Sequence, residues 1–195
     1  MSLKLIARSD TEQVTLEEAK KHLRLSPDFV DHDDKIKLII SAARAQGEAH
    51  THRVWNKAQF ELRCHGFPSR DGVLELPLPP LCSVESVKYI DNKGVETVLP
   101  VESYQVDVDS MVGSIYPAFE QTWPEVRAER FAVRVAFTAG YENFPPALQQ
   151  WMLVRIADYY ANPESVIVDT QSINKVDISD VIDGLLDPFI IPVVA

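Results

Sequence analysis

His50 and His52, with His32, Asp33 and Asp34 upstream, are the residues that could hold a metal ion and activate water on it. Such a site needs three or four ligands converging on one point. The stretch from residue 33 to about 51 has helical spacing. At about 1.5 Å per residue the two groups lie nearly a helix-length apart and cannot share one ion within a subunit. Histidine near a helix C-terminus also has a plain role as a partner of the helix dipole. Cys64 continues the Phe60, Leu62 alternation and reads as a small buried hydrophobe. Two cysteines, Cys64 and Cys82, are too few for a disulfide framework. Asp107 and Asp109 occupy a turn-like stretch that favours local hydrogen bonding by Asp. Trp123-Pro124, with Tyr116-Pro117 upstream, reads either as a small ligand platform or as a plug over a sheet, and the plug is favoured. The chain has no Gly-rich phosphate loop, G-x-S-x-G elbow, H-E-x-x-H or C-x-x-C. The expectation is no catalytic residue, no cofactor, no metal and no enzyme.

The elements around these residues begin with an αα-hairpin. Thr15 with Glu18 forms a capping box, and Leu16, Ala19 and Leu23 share one stripe. Ser26-Pro27-Asp28 is read as the stop of that helix. A second helix opens on Asp31-His32-Asp33-Asp34, with carboxylates at the positive end of its dipole. Ile36, Ile39, Ile40, Ala43 and Gly47 follow at helical spacing.

Strand texture begins near Val54. Phe60 to His65 alternates with period two, and Val73 to Leu76 is a further short strand. Pro77-Leu78-Pro79-Pro80-Leu81 is read as extended and unable to be a central strand. Val84 to Ile90 and Val95 to Leu99 flank Asp91-Asn92-Lys93-Gly94, a hairpin turn. Tyr104 to Val108 and Gly113 to Tyr116 form a further pair. Phe131 to Phe137 is the strongest strand. Pro145-Pro146-Ala147 then opens a helix in which Leu148, Trp151, Met152, Leu153, Val154, Ile156, Ala157, Tyr159 and Tyr160 are apolar nearly all round. Asn162-Pro163 stops it. A polar, loose stretch is expected over 164–175, a short last helix over 179–186, and an apolar tail from Phe189 to Val194.

The fold class is therefore α+β: a helical lobe from both chain ends (1–53 and 145–195) with an inserted antiparallel β-sheet or small barrel (54–144). The 195 residues suffice for one domain carrying a second lobe. A net charge of -10 and the absence of a Lys/Arg cluster argue against sequence-specific nucleic-acid binding. No apolar run approaches the roughly 20 residues that span a bilayer. Residues 1–10 carry no signal-peptide core, so a cytosolic chain without membrane association is expected.

The order of motifs resembles the tailed-phage head–tail connector (head-completion adaptor) family, in the longer form of phages and prophages of Gram-negative bacteria. The residues that carry it begin with Val14 to Lys20, His22-Leu23-Arg24, Asp34 and Ile39 through Ala42-Ala43-Arg44. Leu76-Pro77, Pro79-Pro80-Leu81, Val84, Val87, Tyr89, Tyr104 to Asp107, Gly113, Ile115 and Pro117 continue it. Trp123-Pro124, Val133-Arg134-Val135, Phe137 to Tyr141, Pro145 to Leu148, Ala157 and Tyr159-Tyr160 complete it. The likeness spans about 14–162, with a weaker echo at Leu185 to Pro188. His52 stands where the family pattern tends to have Gly, and the chain after Pro163 does not match closely.

The resemblance implies a structural protein that forms a ring of about a dozen copies below the portal, for head completion, DNA retention and tail attachment. Implied partners are the portal and the tail or head-closure proteins, with the chain monomeric or weakly associating in dilute solution. Implied locations are the host cytoplasm during assembly and then the virion neck. The alternatives are a tail or baseplate adaptor, and a metal-dependent hydrolase or enzyme accessory protein using His50 and His52. Apolar residues that one lobe cannot cover give the candidate assembly surface: Trp151, Tyr159, Tyr160, Phe189, Ile190 and Ile191.

Overall fold

The computed structural model describes residues 1–68, 72–162 and 182–192. The chain divides into two compact units, Met1–Asp10 with Asn56–Glu142 and Thr11–Trp55 with Asn143–Ala195. The first is built of strands and the second of helices.

In the strand unit, β1 (Ser2–Arg8), β2 (Ala58–Cys64), β8 (Val133–Ala139), β4 (Leu81–Ile90) and β5 (Glu96–Val98) form one sheet in the order β1-β2-β8-β4-β5. Every neighbouring pair in it is antiparallel. β3 (Leu74–Glu75), β7 (Ser114–Pro117) and β6 (Tyr104–Asp107) form a second antiparallel sheet in the order β3-β7-β6. Both sheets are open, so the fold is α+β with antiparallel sheets and not a closed barrel. β2 and β8 alternate buried with less buried residues, which puts Phe60 opposite Phe137 and Leu62 opposite Val135 on one face. The two phenylalanine rings stack at 5.6 Å. Burying a side chain of this size stabilises by about 1.5–3 kcal/mol, so this central pair anchors the unit. The β4–β5 turn is closed by Asp91, whose carboxylate accepts from the amides of Lys93 and Val95, with Gly94 at φ +84°.

Three expectations about the strands are corrected. The first ten residues do not belong with the helices: Leu3, Leu5 and Ala7 pair with Leu62, Phe60 and Gln59, making β1 an edge strand. The strongest strand starts at Val133, because Phe131 takes φ +62° and breaks extended geometry. The proline-rich stretch is not uniformly extended, since Leu78 is left-handed at φ +66° and Leu81 already belongs to β4.

In the helical unit, α1 (Leu16–His22), α2 (Asp33–Thr51) and α3 (Pro146–Ala161) pack together. The capping box forms as read: Glu18 N–H donates to Thr15 Oγ1 at 3.2 Å and Thr15 N–H to Glu18 Oε2 at 2.8 Å. α1 ends earlier than Pro27. Arg24 is left-handed at φ +58°, and the Leu25 amide reaches back to the Lys20 carbonyl, a Schellman closure. Lys20 is buried and its ammonium meets the Asp33 carboxylate at 2.5 Å, tying α1 to the start of α2. α2 buries Ile36, Ile39, Ile40, Ala43, Gly47 and Thr51, and α3 buries Leu148, Trp151, Met152, Arg155 and Ile156. The Trp55 ring lies 5.8 Å from that of Trp151 and 5.3 Å from that of Phe144. Both contacts lie within the helical unit, which therefore extends to residues 55 and 143 and not only to 53 and 145.

α2 is capped by His52 at φ +55°, ψ +31°, the left-handed position that glycine usually fills. A left-handed non-glycine residue costs about 1–2 kcal/mol, and glycine returns part of that through its larger unfolded-state entropy. His52 is exposed. His52→Gly should therefore stabilise the protein by about 0.5–1 kcal/mol, read as a rise in denaturation midpoint with an unchanged denaturant slope.

Candidate assembly surfaces

The structure divides the residues read as an assembly surface. Trp151 is not on the surface: it is 1% exposed, its ring meets Trp55 edge-on, and its Nε1–H donates to the Asp183 carboxylate at 2.9 Å. The all-round apolar pattern of α3 placed it outside because spacing alone did not reveal the segment that covers it. Arg155 Nη2 donates to the same carboxylate at 2.9 and 3.1 Å. Asp183 thus fastens residues 182–192 onto α3.

Tyr159 and Tyr160 are half-buried where the end of α3 meets α2. The Tyr159 hydroxyl donates to Gln46 Oε1 at 2.7 Å. The Tyr160 hydroxyl lies 2.6 Å from His32 Nδ1, and Lys35 Nζ sits 4.9 Å from the centre of its ring. Both hydroxyls are satisfied inside the subunit, so these residues offer ring edges and not free polar groups.

Phe189, Ile190 and Ile191 are also half-buried. The Phe189 carbonyl accepts from Arg53 Nε at 2.6 Å and the Ile191 amide donates to the Thr51 carbonyl at 3.1 Å. The tail therefore starts docked at the C-terminal end of α2. The loose stretch expected over 164–175 and residues 193–194 of the apolar tail lie outside the described residues. Of the helix expected over 179–186, residues 179–181 lie outside the described residues. Ile182 and Asp183 are helical and Gly184 to Leu186 form a turn, so the helical part among the described residues is shorter than expected.

The residues considered for chemistry do not converge. Among the described residues no group of three or more His, Cys, Asp or Glu is placed to hold a metal ion. His50 and His52 are exposed at the end of α2, while His32 engages Tyr160 and Asp33 engages Lys20. Cys64 is buried, and that burial pushes its thiol pKa up, away from the reactive thiolate. Asp107 accepts from the Ser110 hydroxyl at 2.5 Å and from the Ser110 and Asp109 amides at 3.0 Å, which holds its carboxyl below the usual range. It shapes the β6–β7 turn. Trp123 is buried, stacks on Phe67 at 4.5 Å and donates to the Gly72 carbonyl at 2.7 Å, the arrangement of a plug. Its aromatic face is spent on Phe67.

The sequence reading missed the apolar residues that the strand unit leaves in water. Leu3, Leu5 and Ile6 are exposed on β1, and Val95, Val98 and Val101 beside β5. Phe119 is 86% exposed at a loop tip. The period-two texture of Ser2-Leu3-Lys4-Leu5 carried the signal for β1.

Residues 13–74 match the family described as "Phage gp6-like head-tail connector protein". Among solved structures, the chain is similar to one in the "Neck of empty GTA particle computed with C6 symmetry", with 22% identity and a TM-score of 0.75. The alignment covers 100% of this chain and 98% of that one. A chain of the "Virion of native gene transfer agent (GTA) particle" gives the same identity, coverage and TM-score. A chain of the "Neck of native GTA particle computed with C12 symmetry" is 20% identical with a TM-score of 0.74, again over 100% and 98% of the two chains. At these identities the likeness establishes the fold, over the whole chain. No curated protein matches.

Proposed function

We propose that this chain is a structural subunit of a phage-type neck, a head–tail connector that assembles as a ring of copies below the portal and joins the DNA-filled head to the tail. The observation that carries the proposal is the whole-chain likeness to neck chains, together with the connector-family match over residues 13–74. Portal and tail or head-closure proteins are its proposed partners. It works first in the host cytoplasm and then in the virion neck, and has no catalytic role. A net charge of -10 suits a ring that DNA passes without being gripped, since phosphates meet no basic patch. A tail or baseplate adaptor would be built from similar parts. Portal and capsid genes immediately upstream favour the neck.

The half-buried Tyr159, Tyr160, Phe189, Ile190 and Ile191 remain the proposed contact residues of the helical unit. Removing the chain from Phe189 onward deletes the hydrogen bond from the Arg53 guanidinium to the Phe189 carbonyl and that from the Ile191 amide to the Thr51 carbonyl at the end of α2, each worth about 0.5–1.5 kcal/mol. The truncated protein should stay folded and lose ring formation. Light scattering and electron microscopy on this protein mixed with the portal from the same genome test both statements. Rings made equally well by the truncated chain would remove the tail from assembly. A full chain that never associates with the portal would end the connector reading.

A further inference from the structure

We infer that neighbouring copies join edge to edge through the five-stranded sheet, β1 of one copy lying along β5 of the next. The inference rests on the ring reading above and names the surface that builds the ring.

β1 is exposed along all seven residues although all of them but Ile6 are in register with β2 on one side. Its Leu3 and Leu5 point to the same face as their partners Leu62 and Phe60, yet Leu5 is 50% exposed. The sheet thus runs on past the core that covers its centre. Ile6 sits at a register shift and is also exposed. A long edge strand with apolar side chains and open backbone groups is the kind of edge that monomeric proteins avoid. Its protection is limited to the two charges Lys4 and Arg8 and the register shift at Ile6, which leaves the run from Ser2 to Leu5 regular.

The opposite end of the same sheet has the complementary character. Residues 95–102, Val-Glu-Thr-Val-Leu-Pro-Val-Glu, carry two acids and no base, whereas residues 2–8 carry two bases and no acid. Val95, Val98 and Val101 are exposed. Glu96 bonds Lys88 at 3.3 Å and Arg134 at 3.1 Å within the subunit. Glu102 lies exposed on the 3₁₀ turn beyond β5. One edge is therefore apolar with two bases, and on the other Glu102 adds a negative charge beside the apolar Val95, Val98 and Val101, Glu96 being paired within the subunit.

Strand direction sharpens the argument. Four antiparallel steps separate β1 from β5, so the two edge strands point the same way. Continuing the sheet from one copy to the next pairs β5 with β1 in parallel. The contact uses two different patches and propagates head to tail, as a ring requires. A two-fold contact of β1 with β1 would instead be antiparallel, would bring two basic strands together with no acid between them, and would stop at a dimer. Charge and topology both favour the head-to-tail pairing.

The test places Lys4→Cys and Val98→Cys in one chain, on a Cys82→Ser background, and treats the concentrated protein with a short bis-maleimide. Both positions are exposed, so the thermal melt should not change, and that is checked first. The expected result is a ladder of covalent species extending beyond the dimer, with each single-cysteine variant giving none. Dimers from Lys4→Cys alone, at the yield of the double variant, would overturn the proposal in favour of two-fold pairing. Absence of a ladder would also overturn it. Electron microscopy of the unmodified chain with its portal then separates the causes: rings without a ladder mean another interface, and no rings at all mean that the neck reading has failed with it.

Discussion

Gly47→Ala should destabilise the protein by about 3 kcal/mol, although alanine is the better helix former. Gly47 lies inside α2, where the exchange would ordinarily gain about 1 kcal/mol. Here a Cβ would stand 1.9 Å from Cη2 of Trp55, 2.4 Å from Cζ2 and 2.7 Å from Cζ3, far inside van der Waals contact. The ring cannot step aside, because Trp55 is fully buried against Trp151 and Phe144 and its indole N–H donates to Thr51 Oγ1 at 3.2 Å. Overpacking of a rigid core costs typically about 1–3 kcal/mol and occasionally more. With three ring atoms inside 3 Å of the added carbon the cost here is about 4 kcal/mol, which outweighs the propensity gain. For a chain of this length the melting temperature should fall by about 6–12 °C. Gly66→Ala is the control, since its Cβ would meet only Val126 Cγ2 at 3.5 Å. Adding Trp55→Leu to Gly47→Ala should recover part of the loss relative to Trp55→Leu alone, a coupling that a double-mutant cycle reads directly. Equal melting temperatures for Gly47→Ala and the parent would contradict this packing.

The helix faces were legible because their signals are local. Thr15 with Glu18 announces a cap, and Ile36, Ile39, Ile40, Ala43 and Gly47 announce a stripe whatever the rest of the chain does. The hairpin around Asp91 and Gly94 was legible for the same reason. What spacing could not show was partnership at a distance. The burial of Trp151 depends on Asp183, 32 residues away, and the placement of β1 depends on its register with β2, more than fifty residues on. Apolar residues on α3 therefore read equally well as an outer patch or as a core face. The early stop of α1 was hidden because Arg24 adopts left-handed geometry without the glycine that usually marks it. The candidate contacts were half visible: apolar character marked Tyr159, Tyr160 and the tail, while β1 and β5 were passed over because an exposed apolar strand looks in sequence like a buried one.

Asp183→Ala should be the second large effect, and it separates folding from assembly. The carboxylate takes the Trp151 indole N–H and two contacts from Arg155, which is itself buried. Removing one member of a buried pair costs about 3–5 kcal/mol because the other is left without compensation. The side chain of Asp183 is 32% exposed, and Arg155 Nη1 keeps a longer contact to Asp158 at 3.8 Å, so the loss should be nearer 2–3 kcal/mol. Asp183→Asn retains an acceptor for the indole and should lose about half as much. The local consequence is more informative than the global one. With the carboxylate gone, residues 182–192 keep the buried Leu186 and the hydrogen bonds to Arg53 and to Thr51 at the end of α2, so their amides should exchange with solvent faster than those of α2 itself. Phe189, Ile190 and Ile191 would then leave their fixed position while α1, α2 and α3 remain packed. If the docked tail forms part of the ring contact, Asp183→Ala at a temperature where the helices are still folded should fail to assemble on the portal, much as the truncated chain does. If rings form normally while exchange at 182–192 is fast, the tail closes the helical unit from within and the ring is held by other surfaces, the sheet edges first among them.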